Sequence, residues 1–360
     1  MDAIKYLDPS VQFILFSVLK IVFVFGVTMT AVAYAVLVER KISAWIQDRP
    51  GPNRTAPFFV QFIPVLGPWL TRLGIFQPMA DGLKFILKED FTPSYVRTIY
   101  FWIAPAIACV PALLTMAVIP FGSQIGGEKM VIADLNVGIL YTFGIVSLGV
   151  YGIVLAGYAS NSKYPFLGSI RSSAQMISYE LAMGMSVVPI FMLVGDLNLS
   201  SVIGYQADHG WNILKQPVSF IIFLIAAFAE TNRLPFDLPE SETELVGGYH
   251  TEYSSMKFAL FFLGEYAAMI AASAMMVTLF LGGWTLPGLS DPASSLLGGL
   301  LHILIFGAKM GVFMVIFIWV RWMLPRFRYD QLMDLGWRRF IPLALANILV
   351  TALVVAFTNK

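Results

Sequence analysis

The chain has 360 residues, with 23 Lys and Arg against 22 Asp and Glu, and a net charge of +1. Hydrophobic residues make up 58%, charged residues only 12%, and the mean hydropathy is +0.76, which excludes an ordinary soluble domain and leaves an integral membrane protein. The net charge says nothing useful about partners; no nucleic-acid partner is expected. The single cysteine, Cys109, excludes an intrachain disulfide and a Cys-ligated iron–sulfur cluster within the chain.

Apolar stretches long enough for about 30 Å of hydrocarbon fall at 11–38, 99–120, 138–158, 173–194, 217–230 with its preceding flank, 257–281, 300–320 and 340–358. Eight helices in one all-α membrane bundle over 1–360 are predicted. The first is expected to stay in the mature chain: its apolar part is too long for a signal peptide, and Glu39-Arg-Lys41 offers no small-residue cleavage site.

Orientation follows from the basic residues. The segments after helices one, three, five and seven carry 17 Lys and Arg, and the segments on the other side carry four. The positive-inside rule therefore puts 39–98, 159–172, 231–256 and 321–339 in the cytoplasm, with both termini opposite.

Along the chain, 39–98 is the longest of these segments. Within it, residues 57–73 are apolar but interrupted by Pro57, Pro64, Gly67 and Pro68, so they should lie flat or dip into the membrane surface. Residues 80–89 set Leu83, Phe85, Ile86 and Leu87 against Asp81, Lys84, Lys88 and Glu89 at helical spacing, which predicts an interfacial helix. The opposite-side loops 121–137 and 282–299 read as plain connections. Lys20, Glu180, Glu265 and Lys309 fall inside predicted helices, with Glu230 at a helix end. Charges at that depth must face protein or water and find partners. Lys20 and Lys309 read as halves of buried ion pairs, and the three acids as a shared proton-conducting path.

The most informative stretch is Glu230-Thr-Asn-Arg-Leu-Pro-Phe-Asp-Leu-Pro-Glu-Ser-Glu-Thr-Glu-Leu-Val-Gly-Gly248, five carboxylates and Arg233 abutting membrane sequence. Desolvation raises a carboxylate's pKa and a cation lowers it, so such a cluster can exchange protons near neutral pH. Pro239, with Asp237 and Ser241 each three residues ahead of a Glu, predicts a helix start there, with Glu240 and Glu244 on one face and Glu242 on another. No Gly-rich phosphate loop, nucleophile with its base or metal-spaced His/Cys set occurs, so no metal site is expected. His209, His250 and His302 read as structural or surface residues.

This stretch, extended through Tyr-His-Thr-Glu-Tyr253, resembles the hallmark loop of the H subunit of bacterial NADH:quinone oxidoreductase, respiratory complex I, the counterpart of mitochondrial NADH dehydrogenase subunit 1. Glu39-Arg-Lys41, Arg49-Pro-Gly-Pro-Asn53, Gln77-Pro-Met-Ala-Asp81, Arg171-Ser-Ser-Ala-Gln-Met-Ile-Ser-Tyr-Glu180 and Pro325-Arg-Phe-Arg-Tyr-Asp-Gln-Leu-Met333 are similar to the same family, in order. The resemblance implies a subunit joining the membrane arm to the hydrophilic arm in a bacterial inner membrane, or the mitochondrial one if organellar. By position it implies Arg40, Arg49, Asp81, Arg233 and Phe236 at the quinone channel, and Glu180, Glu230, Glu240, Glu242, Glu244, Glu252 and Glu265 on a proton-coupling path. Quinone would be substrate, while NADH, FMN and iron–sulfur clusters would belong to partner subunits. Those partners would be the hydrophilic quinone-site subunits and the antiporter-like membrane subunits, with lipid around them. The family has a short link between Asn53 and Gln77, so residues 55–76 read as an insertion. A homologous subunit of a membrane-bound hydrogenase, or a free-standing proton-coupled transporter, are the alternatives.

Overall fold

The computed structural model describes residues 9–57, 66–125, 127–288 and 295–358, excepting a few side chains. Seven helical spans among them are long and apolar enough to cross a membrane. In chain order the helices are α1 (Pro9–Ile46), α2 (Leu66–Leu73), α3 (Gln77–Leu87), α4 (Thr98–Thr115), α5 (Gly138–Val146), α6 (Leu148–Ala159), α7 (Lys163–Val194) and α8 (Leu199–His209). They continue as α9 (Asn212–Lys215), α10 (Pro217–Glu230), α11 (Glu242–Leu245), α12 (Ser255–Phe280), α13 (Leu296–Met323), α14 (Tyr329–Asp334) and α15 (Ile341–Thr358). The fold is the expected polytopic helical bundle. The fifth predicted span is the short one: α10 has 14 residues, begins at a proline and ends at Glu230. At about 1.5 Å per residue it is shorter than the hydrocarbon is thick.

Two helices outrun their apolar parts, and this positions the site. α1 continues eight residues past Val38 to Ile46 and so carries Glu39, Arg40 and Lys41 on helical backbone. α7 begins at Lys163, ten residues before the apolar run, and brings Arg171, Gln175 and Glu180 into one rigid rod that ends where Gly195 takes φ 79°. The third span is interrupted between α5 and α6 at Ser147. Packing is centred on α12, which lies against α1, α4, α10 and α13, while α7 packs on α6, α10 and α15. Small and sulfur-bearing side chains such as Ala267, Ala271, Ala274, Met269 and Met276 fill the contact. Small residues allow the close helix approach that membrane bundles depend on.

α3 is the predicted interfacial helix. It buries none of its residues, and Leu83, Ile86 and Leu87 are exposed. Its C-terminal carbonyls are held by Ser255, whose Oγ donates to Phe85 O and Lys88 O at 2.9 Å each. Of the segment expected to lie at the surface, 58–65 falls outside the described residues, and so do Phe58, Phe59 and Phe62; the remainder forms α2, with Trp69 exposed.

Loop 121–137 is not a plain connection. Gln124–Ile125 pairs antiparallel with Glu128–Lys129, and Glu128 accepts from Lys20 of α1 at 3.2 Å. Lys20 is thus half of an ion pair, though not of the buried one expected, since the Glu128 side chain is 46% exposed. Lys309 is not: its ammonium donates to the carbonyls of Leu281, Gly283 and Thr285 at 2.6, 3.0 and 2.6 Å. It caps the C-terminal end of α12, where carbonyl groups lack helical partners and attract a cation.

Candidate functional site

The acidic stretch folds back into the bundle instead of forming a helix from Pro239. The α-helical turn described there is α11, four residues long, and a 3-10 turn follows at Gly248–His250. Asp237 accepts from the backbone N–H of Glu240, and Arg326 holds it as well, its Nη2 donating to Oδ2 at 2.6 Å. Glu240 and Glu244 therefore do not share a face: Glu240 lies 3.7 Å from His250 Nδ1, and Glu244 pairs with Arg171 at 2.7 Å. Gly248, at φ +61°, makes the close approach possible, since a Cβ there would sit 1.7 Å from Pro239 O. The side chain of Glu242 lies outside those described.

At the centre of the fold sits an ion network made by four segments. Arg233, 2% exposed, donates from Nη1 to Glu39 Oε2 at 3.3 Å and contacts Glu265 through Nε. Arg321 of α13 pairs with the other oxygen of Glu39, and the Tyr266 hydroxyl donates to Glu39 Oε2 at 2.6 Å. The guanidinium lies 4.4 Å from the Tyr266 ring centroid. Two carboxylates face two guanidiniums, the balance a buried cluster requires. Burial alone would lower the pKa of Arg233, but Glu265 and Glu39 outweigh it and hold the group charged.

Three of the predicted acids meet at one cavity, which Glu230, Glu240, Glu265 and Tyr249 line together with mostly apolar side chains. Glu230 is buried, with neither carboxylate oxygen hydrogen-bonded among the described residues, and the field of Glu180 on α7 reaches it. Tyr249 is held far above the ordinary phenol value, by burial first and by Glu240 next. Glu252 is apart from this group and accepts from Tyr95 Oη at 2.6 Å. Glu244 too lies outside the cavity lining, at the Arg171 pair.

Of the residues matched to a quinone channel, Arg40 and Asp81 form an ion pair at 2.7 Å, linking α1 to α3, and Gln77 Nε2 supports Asp81 at 3.0 Å. Arg49 is exposed and reaches the side chain of Gln47. Phe236 is buried, its ring 5.6 Å from that of Tyr179 and stacked on Phe327 at 5.5 Å. Arg233 belongs to the central network, so the two sets that the sequence separates share members in the structure.

Sequence reasoning passed over three residues here. Glu39 and Arg321 anchor the network; the sign of Glu39 was its charge one residue past an apolar run. Gln175 was hidden by neutrality: its Nε2 donates to Ala229 O and Phe236 O at 2.7 Å each and staples the start of the acidic stretch to α7.

The chain matches the family profile described as NADH dehydrogenase over residues 19–352. It is 45% identical over 354 residues to the first of the H subunits of NADH-quinone oxidoreductase in Cytophaga hutchinsonii, covering 96% of this chain and 98% of that protein. It is 50% identical over 336 residues to the first H subunit of the same enzyme in Geobacter metallireducens, covering 92% and 94%. It is also 49% identical over 342 residues to the second H subunit in Geobacter sulfurreducens, covering 94% and 96%. With a buried acid–guanidinium network at its centre and these relatives along nearly its whole length, the chain belongs to the NADH dehydrogenase family, beside proteins named as the H subunit of NADH-quinone oxidoreductase.

Proposed function

We propose that this chain is the membrane subunit of a proton-translocating NADH:quinone oxidoreductase that walls part of the quinone channel and carries the first acids of the coupling path. Arg40, Arg49, Asp81, Arg233 and Phe236 serve the channel, and Glu180, Glu230, Glu240, Glu242, Glu244, Glu252 and Glu265 serve the path. The observation that carries this reading is Arg233, which touches both Glu39, the neighbour of Arg40, and Glu265 at the acid-lined cavity. A change of charge on the quinone side is thereby felt at the acids through one shared guanidinium, because a buried charge responds strongly to loss of a partner.

The chain works as one membrane unit in the bacterial inner membrane, with the basic segments cytoplasmic. Hydrophilic quinone-site subunits cover that side and supply NADH oxidation, FMN and iron–sulfur clusters, and antiporter-like subunits continue the membrane arm. Replacing Glu180 or Glu230 by Gln keeps shape and removes the titrating group. The assembled complex should then lose most of its quinone reductase activity and proton pumping while still passing electrons from NADH to a soluble artificial acceptor. Normal pumping in both variants would refute the path.

A further inference from the structure

We propose that the cavity beside Glu230 is a binding site for a hydrophobic ammonium compound, one protonated amine on an apolar body. Its empty space, openings to the outside included, is about 1000 Å³, and it is concave and mostly apolar with a few polar groups, as small-molecule sites are. Ala108, Ala112, Ala268 and Ala272 supply small apolar walls, so room remains where larger side chains would fill it. The wall differs from side to side. At Gly264 a Cβ would lie 3.0 Å from Cys109 Cα, so that side is closed, whereas at Gly149, beside the interruption between α5 and α6, a Cβ would meet nothing within 4 Å.

The polar end selects the ligand's head. Glu265 is engaged by Arg233, and Glu240 lies by His250. Glu230 is the acid left over: it is 9% exposed, lines the cavity, and has no hydrogen-bond partner on either oxygen among the described residues. An ionised carboxylate accepts only, so an ammonium with three N–H donors satisfies it where an alcohol offers one. An anionic head would face three carboxylates. The apolar body then covers alanine, methionine and phenylalanine surface and leaves no second polar group unmatched.

Only the consequence for turnover rests on the proton-path reading, since a ligand on Glu230 would block its proton exchange; binding itself does not. The test uses the purified, assembled complex, with decylamine as probe and decanol as its neutral counterpart, read by equilibrium dialysis. NADH oxidation with a soluble acceptor reports assembly of each variant. One saturable decylamine equivalent is expected, not displaced by decanol, with affinity at least tenfold weaker in Glu230→Gln and in Ala268→Phe, which fills the cavity and keeps the acid. If Glu230→Gln fails to assemble, Ala268→Phe and Ala272→Phe decide. Unchanged binding in the assembled variants, or equal displacement by decanol, overturns the site and leaves simple partition into detergent and lipid. Lost decylamine binding with normal pumping in Glu230→Gln would remove the proton-path reading and keep the site.

Discussion

Glu39 and Arg233, 194 positions apart in the chain, meet at 3.3 Å in the buried centre of the bundle, and Arg321 reaches the same carboxylate from the other side. Removing the carboxylate leaves Arg233 with Glu265 alone and takes from Arg321 its Glu39 partner, and breaking a buried pair from one side costs about 3–5 kcal/mol. Glu39→Ala should therefore lower both the amount of assembled complex and its quinone reductase activity. Glu39→Gln, which keeps an acceptor for Tyr266 and one guanidinium, should assemble better than Glu39→Ala yet remain slow. Activity normalised to assembled complex checks this, and equal loss in both variants would mean that charge, not hydrogen bonding, holds the network.

Arg40 and Asp81 form a pair of another kind. With their side chains 45% and 24% exposed, the ion pair at 2.7 Å contributes at most about 1 kcal/mol. Arg40→Ala should hardly change the melting temperature but raise the KM for quinone, because the pair fixes α3 against α1 at the proposed channel. A double-mutant cycle with Asp81→Ala should show non-additive effects on KM. Additive effects would place the two residues in separate roles.

Asp237 gives a pH signature. Its carboxyl is pushed up to about 6, by burial first and then by Glu240, against the opposing pull of Arg326. A raised pKa means that the folded state holds the proton more tightly than the unfolded state. The stabilisation is thus fully present below the ordinary value of 3.8 and is lost as pH rises through about 6. Thermal scans of the complex from pH 4 to 8 should show a fall that runs between the ordinary value of 3.8 and about 6, levels off above that, and disappears in Asp237→Asn. In Arg326→Leu the fall should move to higher pH.

Gly248 is a backbone test of the acidic stretch. Alanine there would place Cβ 1.7 Å from Pro239 O at a φ of +61°, where a non-glycine residue already costs about 1–2 kcal/mol. The stretch must shift, and Gly168 leaves it little room, since a Cβ there too would lie 3.0 Å from Pro239 O. Gly248→Ala should cut pumping and quinone reduction together, while Gly247→Ala, whose Cβ would have Thr251 Oγ1 as its nearest neighbour at 3.2 Å, should be milder. Limited proteolysis within 238–247 would report the displacement.

What could be read without the structure followed physical scale. The spans are set by local hydropathy, and α3 shows its period in eleven residues. Pairings set by the fold could not be read. Ser241 stands at the cap position of α11, but its hydroxyl is buried without a hydrogen bond among the described residues, while Glu244, three residues on, pairs with Arg171. At that end of the stretch a tertiary ion pair stands where the local pattern predicts a capping box. Glu39 read as the edge of a loop because the apolar run stops before it, whereas the helix runs on and Arg233 and Arg321 close over it.

α3 supplies the remaining prediction. Leu83, Ile86 and Leu87 are 51%, 65% and 82% exposed, and α2 adds Trp69 at 59%. Such side chains are stable at a membrane surface, where apolar groups leave water and a tryptophan sits at headgroup level. Lys84 and Lys88 are exposed beside them and suit anionic headgroups. The helix is fastened to α1 by Arg40–Asp81 and to α12 by Ser255, so loosening its membrane face should tilt it without detaching it. Replacing Leu83, Ile86 and Leu87 together by Ser should raise the KM for long-tailed quinones several-fold and leave short-tailed quinones nearly unchanged, with the complex intact. A long tail must pass along the hydrocarbon to reach the proposed channel, whereas a short one partitions from water, so equal effects on both substrates would take α3 out of the quinone's route.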